Sequence, residues 1–211
     1  MLERFKVPKE DEVRVAHDAL NETVSSIFEK MGVSSDDAAL GAEVLVATDL
    51  RGVETHGVSN MLRSYVEGYT QGTLNPRPDM RVVRETPSTA NVDADKGLAV
   101  ILGPKAMQMA IDKARNVGVG VVTMSNAGHS GAIGHHAMLA AKQDMVGMTA
   151  TSGGLLVVPT YGAEPRLGTN PIAIAAPAKS EPALLFDAAT SAVAGNKLRL
   201  AERVGADMLP G

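Results

Sequence analysis

The sequence predicts an α/β protein in which a helical N-terminal region, residues 1–76, precedes a mixed-sheet α/β region, residues 77–211. Two observations lead to this fold class. Apolar residues before position 76 recur at the spacing of amphipathic helices, whereas short apolar runs bounded by Gly, Pro and Asp follow it. Helical patterns lie between some of these runs, and such alternation indicates a parallel or mixed sheet covered by helices.

Helices account for most of the N-terminal region. The first is predicted at residues 10–31, where apolar residues from Val13 onward recur at helical spacing. The second is predicted at residues 36–50, after a cap at Ser34. A third is expected at residues 59–69, before the turn-rich segment QGTLNPRPD.

Short β-branched or apolar runs in the second region predict strands. They are MRVVRE, TANVDA, VGVGVVTMS, MVGMTATS, PIAIAAPA and ALLFDAA. Helices are expected at residues 103–116 and 132–143. One strand, residues 119–124, leads through a loop at 125–131 into the second of these helices. Because ligands bind at the carboxyl ends of strands in open α/β sheets, that loop is a candidate site.

The composition excludes several classes of function. Hydrophobic residues make 45% and charged residues 21% of the chain, as in ordinary compact proteins. Aromatic residues make only 3%, the net charge is −4 and no Lys/Arg run occurs, so we expect no nucleic-acid partner. The lack of cysteine excludes thiol nucleophiles and thiolate zinc sites. A charged N-terminus and no bilayer-length apolar run predict a cytoplasmic protein without a membrane partner.

The segment NAGHSGAIGHH concentrates histidines in the candidate loop. His129 lies between glycines that permit close approach, and its imidazole can exchange a proton with a substrate hydroxyl near neutral pH. It can equally be a turn histidine satisfied by the backbone. His135 and His136 are adjacent on a helix and point in different directions, and the spacing matches no zinc motif. We therefore expect no metal site.

Two further segments carry candidate residues, each with a structural alternative. DLRGVETHG places Arg51 and His56 around a helix end, where they can hold a carboxylate and orient an oxygen, or simply terminate the helix. LLFDAATS ends a strand at Asp187, which can pair with His or Arg or cap the next helix. No G-x-G-x-x-G motif follows a strand, so a dinucleotide would not bind in the Rossmann manner.

Four segments in order, ATDLRGVETHG, NAGHSGAIG, VVPTYGAEPRLGTNPIAIAAP and LLFDAATSAVAGNK, resemble the malate/L-lactate dehydrogenase family, which includes ureidoglycolate and sulfolactate dehydrogenases. The resemblance implies a nicotinamide-dependent oxidoreductase with a fold of its own, not a Rossmann domain. It also implies a homodimer that acts on a small 2-hydroxy acid or 2-oxo acid. Both NAD and NADP remain open as the cofactor.

The resemblance also implies residue roles. His129 matches the family's proton acceptor, with His56 and Arg51 as further catalytic residues. The substrate would be bound by Arg51, His56, Asn60 and Thr169. The cofactor would be bound by Ser152, Gly153, Asn170, Asp187, Ala188, Ala189 and Lys197.

The chain departs from the family pattern at several positions, among them Thr55 in place of a serine and Ala188 in place of a methionine. Asn60 stands where many members carry an arginine for the substrate carboxylate, with Arg63 nearby, and Ser152-Gly153 replaces an Asn-Ser pair. Family members also continue well beyond the last residue of this chain. The sequence therefore predicts an NAD(P)-dependent 2-hydroxy acid dehydrogenase, with a truncated, non-catalytic paralogue that acts as an oligomer partner as the alternative.

Overall fold

The computed structural model describes residues 9–206, and its N-terminal part is helical. Three α-helices are present there: α1 (His17–Lys30), α2 (Ser35–Leu50) and α3 (Val58–Thr70). Single 3-10 turns occur at Lys9–Asp11 and Glu54–His56. The Ser34 hydroxyl accepts a hydrogen bond from the Asp37 N–H at 3.4 Å, which confirms the predicted cap of α2.

The predicted start of the first helix is wrong. The helix begins at His17 rather than at residue 10. Val13, which belongs to the predicted apolar spacing, is 85% exposed, and the nearby Val15 is 60% exposed. Short helices are stabilised mainly by packing of the apolar face, so without such packing the spacing alone does not extend the helix.

The second part of the chain alternates strands and helices. Its elements are β1 (Arg81–Glu85), β2 (Thr89–Asp93), α4 (Ala99–Val117), β3 (Val121–Ser125), α5 (Gly134–Ala141), β4 (Gly147–Ala150), β5 (Ile172–Ala176), β6 (Leu184–Ala188) and α6 (Gly195–Val204). Every run predicted as a strand contains one. The predicted mixed-sheet α/β body beside a helical region is confirmed. Within residues 9–206 no helix is both long enough and apolar enough to cross a membrane.

The strands form two sheets rather than the single sheet expected. In the first, of order β1-β2-β3, β1 and β2 are antiparallel while β2 and β3 are parallel. In the second, of order β4-β5-β6, all neighbours are antiparallel. A parallel pair needs a long crossover, which α4 supplies between β2 and β3, whereas the short link from β5 to β6 permits only an antiparallel hairpin.

Two hydrophobic cores hold these layers together. The larger joins the N-terminal helices to α4, with Phe28, Leu45, Leu98 and Leu102 at its centre. The second lies between α5 and the inner face of the second sheet, where Ile133 and small alanines pack. Because α2 also packs on α4 and α5, the end of α2 lies beside the α5 layer. This junction holds the candidate site.

Candidate active site

The turn that carries His56 is held by side chains from both flanking helices. Asp49, near the end of α2, accepts a hydrogen bond from the Val58 N–H at 2.9 Å and so caps α3. A Cβ at Gly57 would lie 1.7 Å from the Asp49 carboxylate, so this close approach requires glycine. The Asn60 amide donates to the Thr55 carbonyl at 2.8 Å. His56 is therefore presented on a braced turn.

The loop that carries His129 is pinned against the start of α4. The Gly128 N–H donates to the Gly97 carbonyl at 2.8 Å, and the Val100 N–H donates to the His129 carbonyl at 3.1 Å. A Cβ at Gly128 would lie 2.5 Å from the Leu74 side chain, so glycine is needed here also. The backbone at His129 is thus held by these hydrogen bonds and by the close approach at Gly128.

The structure brings His56 and His129 together although 72 residues separate them along the chain. Their rings stack with centroids 5.6 Å apart and planes inclined by 17°. The Tyr65 hydroxyl lies 2.7 Å from Nδ1 of His129. The sequence pattern did not indicate a role for Tyr65, because an aromatic residue on the apolar face of a helix is usually a core residue.

Both histidines are shifted toward the neutral form. Burial, followed by the neighbouring His56, lowers the pKa of His129 to about 4. His129 as a whole residue is nevertheless exposed. Burial also lowers the pKa of His56, against the opposing negative charge of Asp187. At neutral pH the pair therefore has unprotonated nitrogens available.

Asp187 connects the second sheet to the histidines. Its carboxylate accepts a hydrogen bond from the Gly134 N–H at 2.7 Å, at the first turn of α5. A Cβ at Gly134 would lie 2.6 Å from that carboxylate, a requirement that sequence analysis did not identify. Burial raises the pKa of Asp187, and the Gly134 hydrogen bond, His56 and Arg51 oppose that rise. The acid thus helps to cap α5, which precedes it in the chain, rather than the next helix that the sequence offered as one alternative.

A cleft of about 160 Å³ lies on the other side of Asp187. Its lining residues come from the end of α2, the start of α5 and β6: Thr48, Arg51, Val53, Ala132, Gly134, His135, Leu185 and Asp187. Arg51 is exposed, and its positive charge interacts electrostatically with the Asp187 carboxylate. The cleft adjoins the stacked histidines through Asp187 but is not lined by them.

The two remaining loop histidines have different surroundings. His136 is 2% exposed and its ring nitrogen Nε2 donates to the Ser130 carbonyl at 3.0 Å, which is a structural role. His135 lines the cleft beside Arg51, so it lies closer to the candidate site than the sequence suggested. No group of three or more His, Asp or Glu residues within positions 9–206 is arranged to hold a metal ion.

The residues expected at the cofactor meet at one end of the second sheet. Ala150, Ile172 and Ala188 are paired across the three strands, so the loops beyond them lie side by side. The Gly153 N–H donates to the Asn170 side chain at 3.1 Å. The Thr190 N–H and hydroxyl both donate to the Thr169 carbonyl. Ser152, Ala188 and Ala189 lie close in sequence to these hydrogen-bonded residues. Lys197 lies in α6, which packs on the Glu54–His56 turn.

A sequence profile described as malate/L-lactate dehydrogenase matches residues 15–211. The chain belongs to this family. A malate dehydrogenase from Pyrococcus horikoshii is 45% identical over 202 residues, which are 96% of this chain and 56% of that protein. An L-sulfolactate dehydrogenase from Methanocaldococcus jannaschii is 42% identical over 175 residues, 83% of this chain and 50% of the relative.

Solved structures of the malate/L-lactate dehydrogenase family have the same fold. The structure of the Pyrococcus horikoshii malate dehydrogenase aligns with a TM-score of 0.88 at 43% identity, covering 92% of this chain and 55% of that one. A Δ1-piperideine-2-carboxylate reductase from Pseudomonas syringae aligns with a TM-score of 0.86 at 29% identity, covering 94% and 59%. The chain thus spans little more than half the length of these relatives.

Proposed function

We propose that the protein transfers a hydride between NAD or NADP and a small 2-hydroxy acid or its 2-oxo acid. The observation that carries this proposal is the stacked pair of His56 and His129 beside Asp187, in a chain of the malate/L-lactate dehydrogenase family. Two of the relatives named above are a malate dehydrogenase and an L-sulfolactate dehydrogenase, which supports a hydroxy acid as the substrate class.

His129 is the residue for proton transfer in this proposal. Its Nδ1 is occupied by the Tyr65 hydroxyl, so Nε2 is the nitrogen that faces the substrate. In the oxidation direction Nε2 accepts the proton of the 2-hydroxyl group, and in the reduction direction it returns that proton to the oxygen. The lowered pKa of His129 keeps the ring neutral at neutral pH, and in the tautomer that carries its proton on Nδ1 the Nε2 nitrogen can act as the acceptor.

His56 and Arg51 orient the substrate. His56 lies beside His129 and is suited to hold the reacting oxygen, while Arg51 stands exposed at the cleft and can bind the carboxylate with two parallel hydrogen bonds. The Asn60 amide already donates to the Thr55 carbonyl, so Asn60 contributes mainly by holding the His56 turn. Thr169 lies near the sheet end and would contact the substrate from that side.

The residues around the end of the second sheet fit a nicotinamide cofactor. The backbone at Ser152 and Gly153 is exposed, and a Cβ at Gly154 would meet no atom within 4 Å, so there is room for a ligand against this loop. Ser152, Gly153, Asn170, Asp187, Ala188, Ala189 and Lys197 would hold the group. When bound, the nicotinamide ring accepts or supplies the hydride.

The first test is turnover and cofactor binding. We would measure NADH and NADPH oxidation with oxaloacetate, pyruvate and 3-sulfopyruvate, and cofactor binding by thermal protection. His129→Asn should lower kcat by about 10²- to 10⁴-fold while leaving cofactor affinity nearly unchanged. His17→Asn, at the exposed start of α1, is the matched control and should turn over normally.

Two outcomes would contradict the proposal. Wild-type turnover by His129→Asn would exclude His129 as the proton-transfer residue. A folded protein with neither cofactor binding nor turnover would favour the alternative, a non-catalytic oligomer partner. The outer face of the second sheet supports that alternative, because Met148, Ile174 and Phe186 form an exposed apolar row across its three strands. We also propose that the protein is cytoplasmic and forms a homodimer. Its mass in solution would test the homodimer.

A further inference from the structure

We propose that Tyr65 is a positioning residue that orients the His129 ring and accepts a hydrogen bond from its Nδ1 proton, so that Nε2 is free to exchange a proton with the substrate. The catalytic consequence of this inference rests on the proposed function. The contact between the Tyr65 and His129 side chains is independent of the proposed function.

Tyr65 contacts His129 through its hydroxyl group. The residue is 2% exposed on α3, and its oxygen lies 2.7 Å from Nδ1 of His129. The two rings are 6.0 Å apart and inclined by 37°, so they do not stack face to face. Because Asp49 caps the first turn of α3, the helix that presents Tyr65 is itself held in place. The hydroxyl is thus a fixed partner for one nitrogen of the proposed base.

The second neighbour of Nδ1 explains why a hydroxyl is needed there. The Gly131 N–H donates to Nδ1 at 3.3 Å, and an N–H can only donate. Gly131 therefore favours an unprotonated Nδ1, which places the proton of the neutral ring on Nε2. A ring in that form cannot accept a substrate proton at Nε2.

The Tyr65 hydroxyl is both a donor and an acceptor. It accepts a hydrogen bond when Nδ1 is protonated, which leaves the Nε2 lone pair free for the substrate. It donates when Nδ1 is unprotonated, as Gly131 also does. Burial raises the pKa of Tyr65, so the phenol keeps its proton through this exchange. In the neutral acceptor and in the doubly protonated ring alike Nδ1 carries a proton, and the hydroxyl accepts a hydrogen bond from it in both states.

Removing the hydroxyl has a defined effect on titration. Tyr65→Phe leaves the ring but removes the acceptor for the Nδ1 proton, so the doubly protonated ring is less stable. The pKa of His129 should fall below its wild-type value. The acidic limb of the rate profile for alcohol oxidation, which requires unprotonated His129, should then move to lower pH.

The test compares Tyr65→Phe with Tyr69→Phe. Tyr69 lies one turn further along α3 and packs edge-on against Phe28, so this control removes a second hydroxyl from the same helix. NMR of protein labelled with ¹⁵N in histidine reports the tautomer and the midpoint of His129. We expect Tyr65→Phe to remove the Nδ1-protonated fraction and lower the midpoint, and Tyr69→Phe to match the wild type.

Kinetics provide the second readout. Tyr65→Phe should lower kcat by about 10-fold with little change in KM, since one hydrogen bond to the base is lost and the substrate contacts remain. In the wild type, the Tyr65 hydroxyl proton should appear as a slowly exchanging signal close to the His129 ring protons. Absence of that signal would overturn the inference even if the variant did not fold.

The outcomes separate the two proposals. If Tyr65→Phe shifts the tautomer while the wild type shows no turnover, the positioning role stands and the proposed function fails. If Tyr65→Phe leaves both tautomer and midpoint unchanged, or if Tyr69→Phe changes them equally, the positioning role is refuted whatever the activity.

Discussion

The buried His136 should make the fold sensitive to mild acid. Its Nε2 donates to the Ser130 carbonyl, so in the neutral ring Nδ1 is the unprotonated nitrogen. Within residues 9–206 that Nδ1 has no hydrogen-bond partner, and a proton added there would be a buried, unpaired charge. Burial accordingly lowers the pKa of His136 from 6.5 to about 4.

The magnitude follows from the difference between these values. The unfolded chain binds the proton first, so the contribution of His136 to stability is fully present above pH 6.5 and is lost as the pH falls toward 4. The complete loss is about 3 kcal/mol, of which about 2 kcal/mol has been lost at pH 5. A domain that is stable by only about 5–15 kcal/mol should show this clearly.

The assay is urea unfolding followed by circular dichroism at pH 7, 6 and 5. His136→Gln keeps a donor for the Ser130 carbonyl but cannot be protonated, so its stability should fall by about 2 kcal/mol less than that of the wild type between pH 7 and pH 5. Val100→Ala, a core truncation that keeps all histidines, is the control and should retain the wild-type pH dependence. An identical pH dependence in His136→Gln and the wild type would refute the reasoning.

Three other substitutions test the site. Gly134→Ala places a Cβ 2.6 Å from the Asp187 carboxylate and should cost about 1–3 kcal/mol by urea unfolding. Gly195→Ala, whose Cβ meets no atom within 4 Å, should cost no more than about 1 kcal/mol, and equal losses would contradict the close approach. Asp49→Ala removes the cap of α3 and should lower the free energy of unfolding by about 1 kcal/mol, whereas Asp49→Asn should retain most of it. Arg51→Lys should raise KM for the 2-oxo acid about 10-fold with kcat nearly unchanged, because lysine cannot form two parallel bonds, and an unchanged KM would exclude a carboxylate contact.

Elements with strong local signals were predicted well. The second helix begins where Ser34 caps it, and the third extends only one residue beyond its prediction at each end. The short apolar runs bounded by turn residues also correctly predicted the six strands β1 to β6. These features depend on backbone capping and side-chain periodicity, which lie within a few residues of each other along the chain.

Features that depend on partners distant in sequence were missed. Val13 and Ala16 continue the helical spacing, but Val13 is exposed and α1 begins only at His17. The division of the strands into two sheets depends on which edges pair, and apolar runs do not specify that. Tyr65 and Gly134 have clear roles only because His129 and Asp187 lie against them in space.

The sequence by itself determined the family, the helical region followed by an α/β region, and the histidine proposed for proton transfer. These follow from ordered motifs and local periodicity, which can be identified in the sequence without knowledge of the packing. Only the tertiary structure decided that His56 stacks on His129, that Asp187 helps to cap α5, and that a tyrosine hydroxyl contacts the proposed base. Such contacts arise when helices and strands pack, since burial and the distances between groups far apart in the chain are properties of the folded molecule alone.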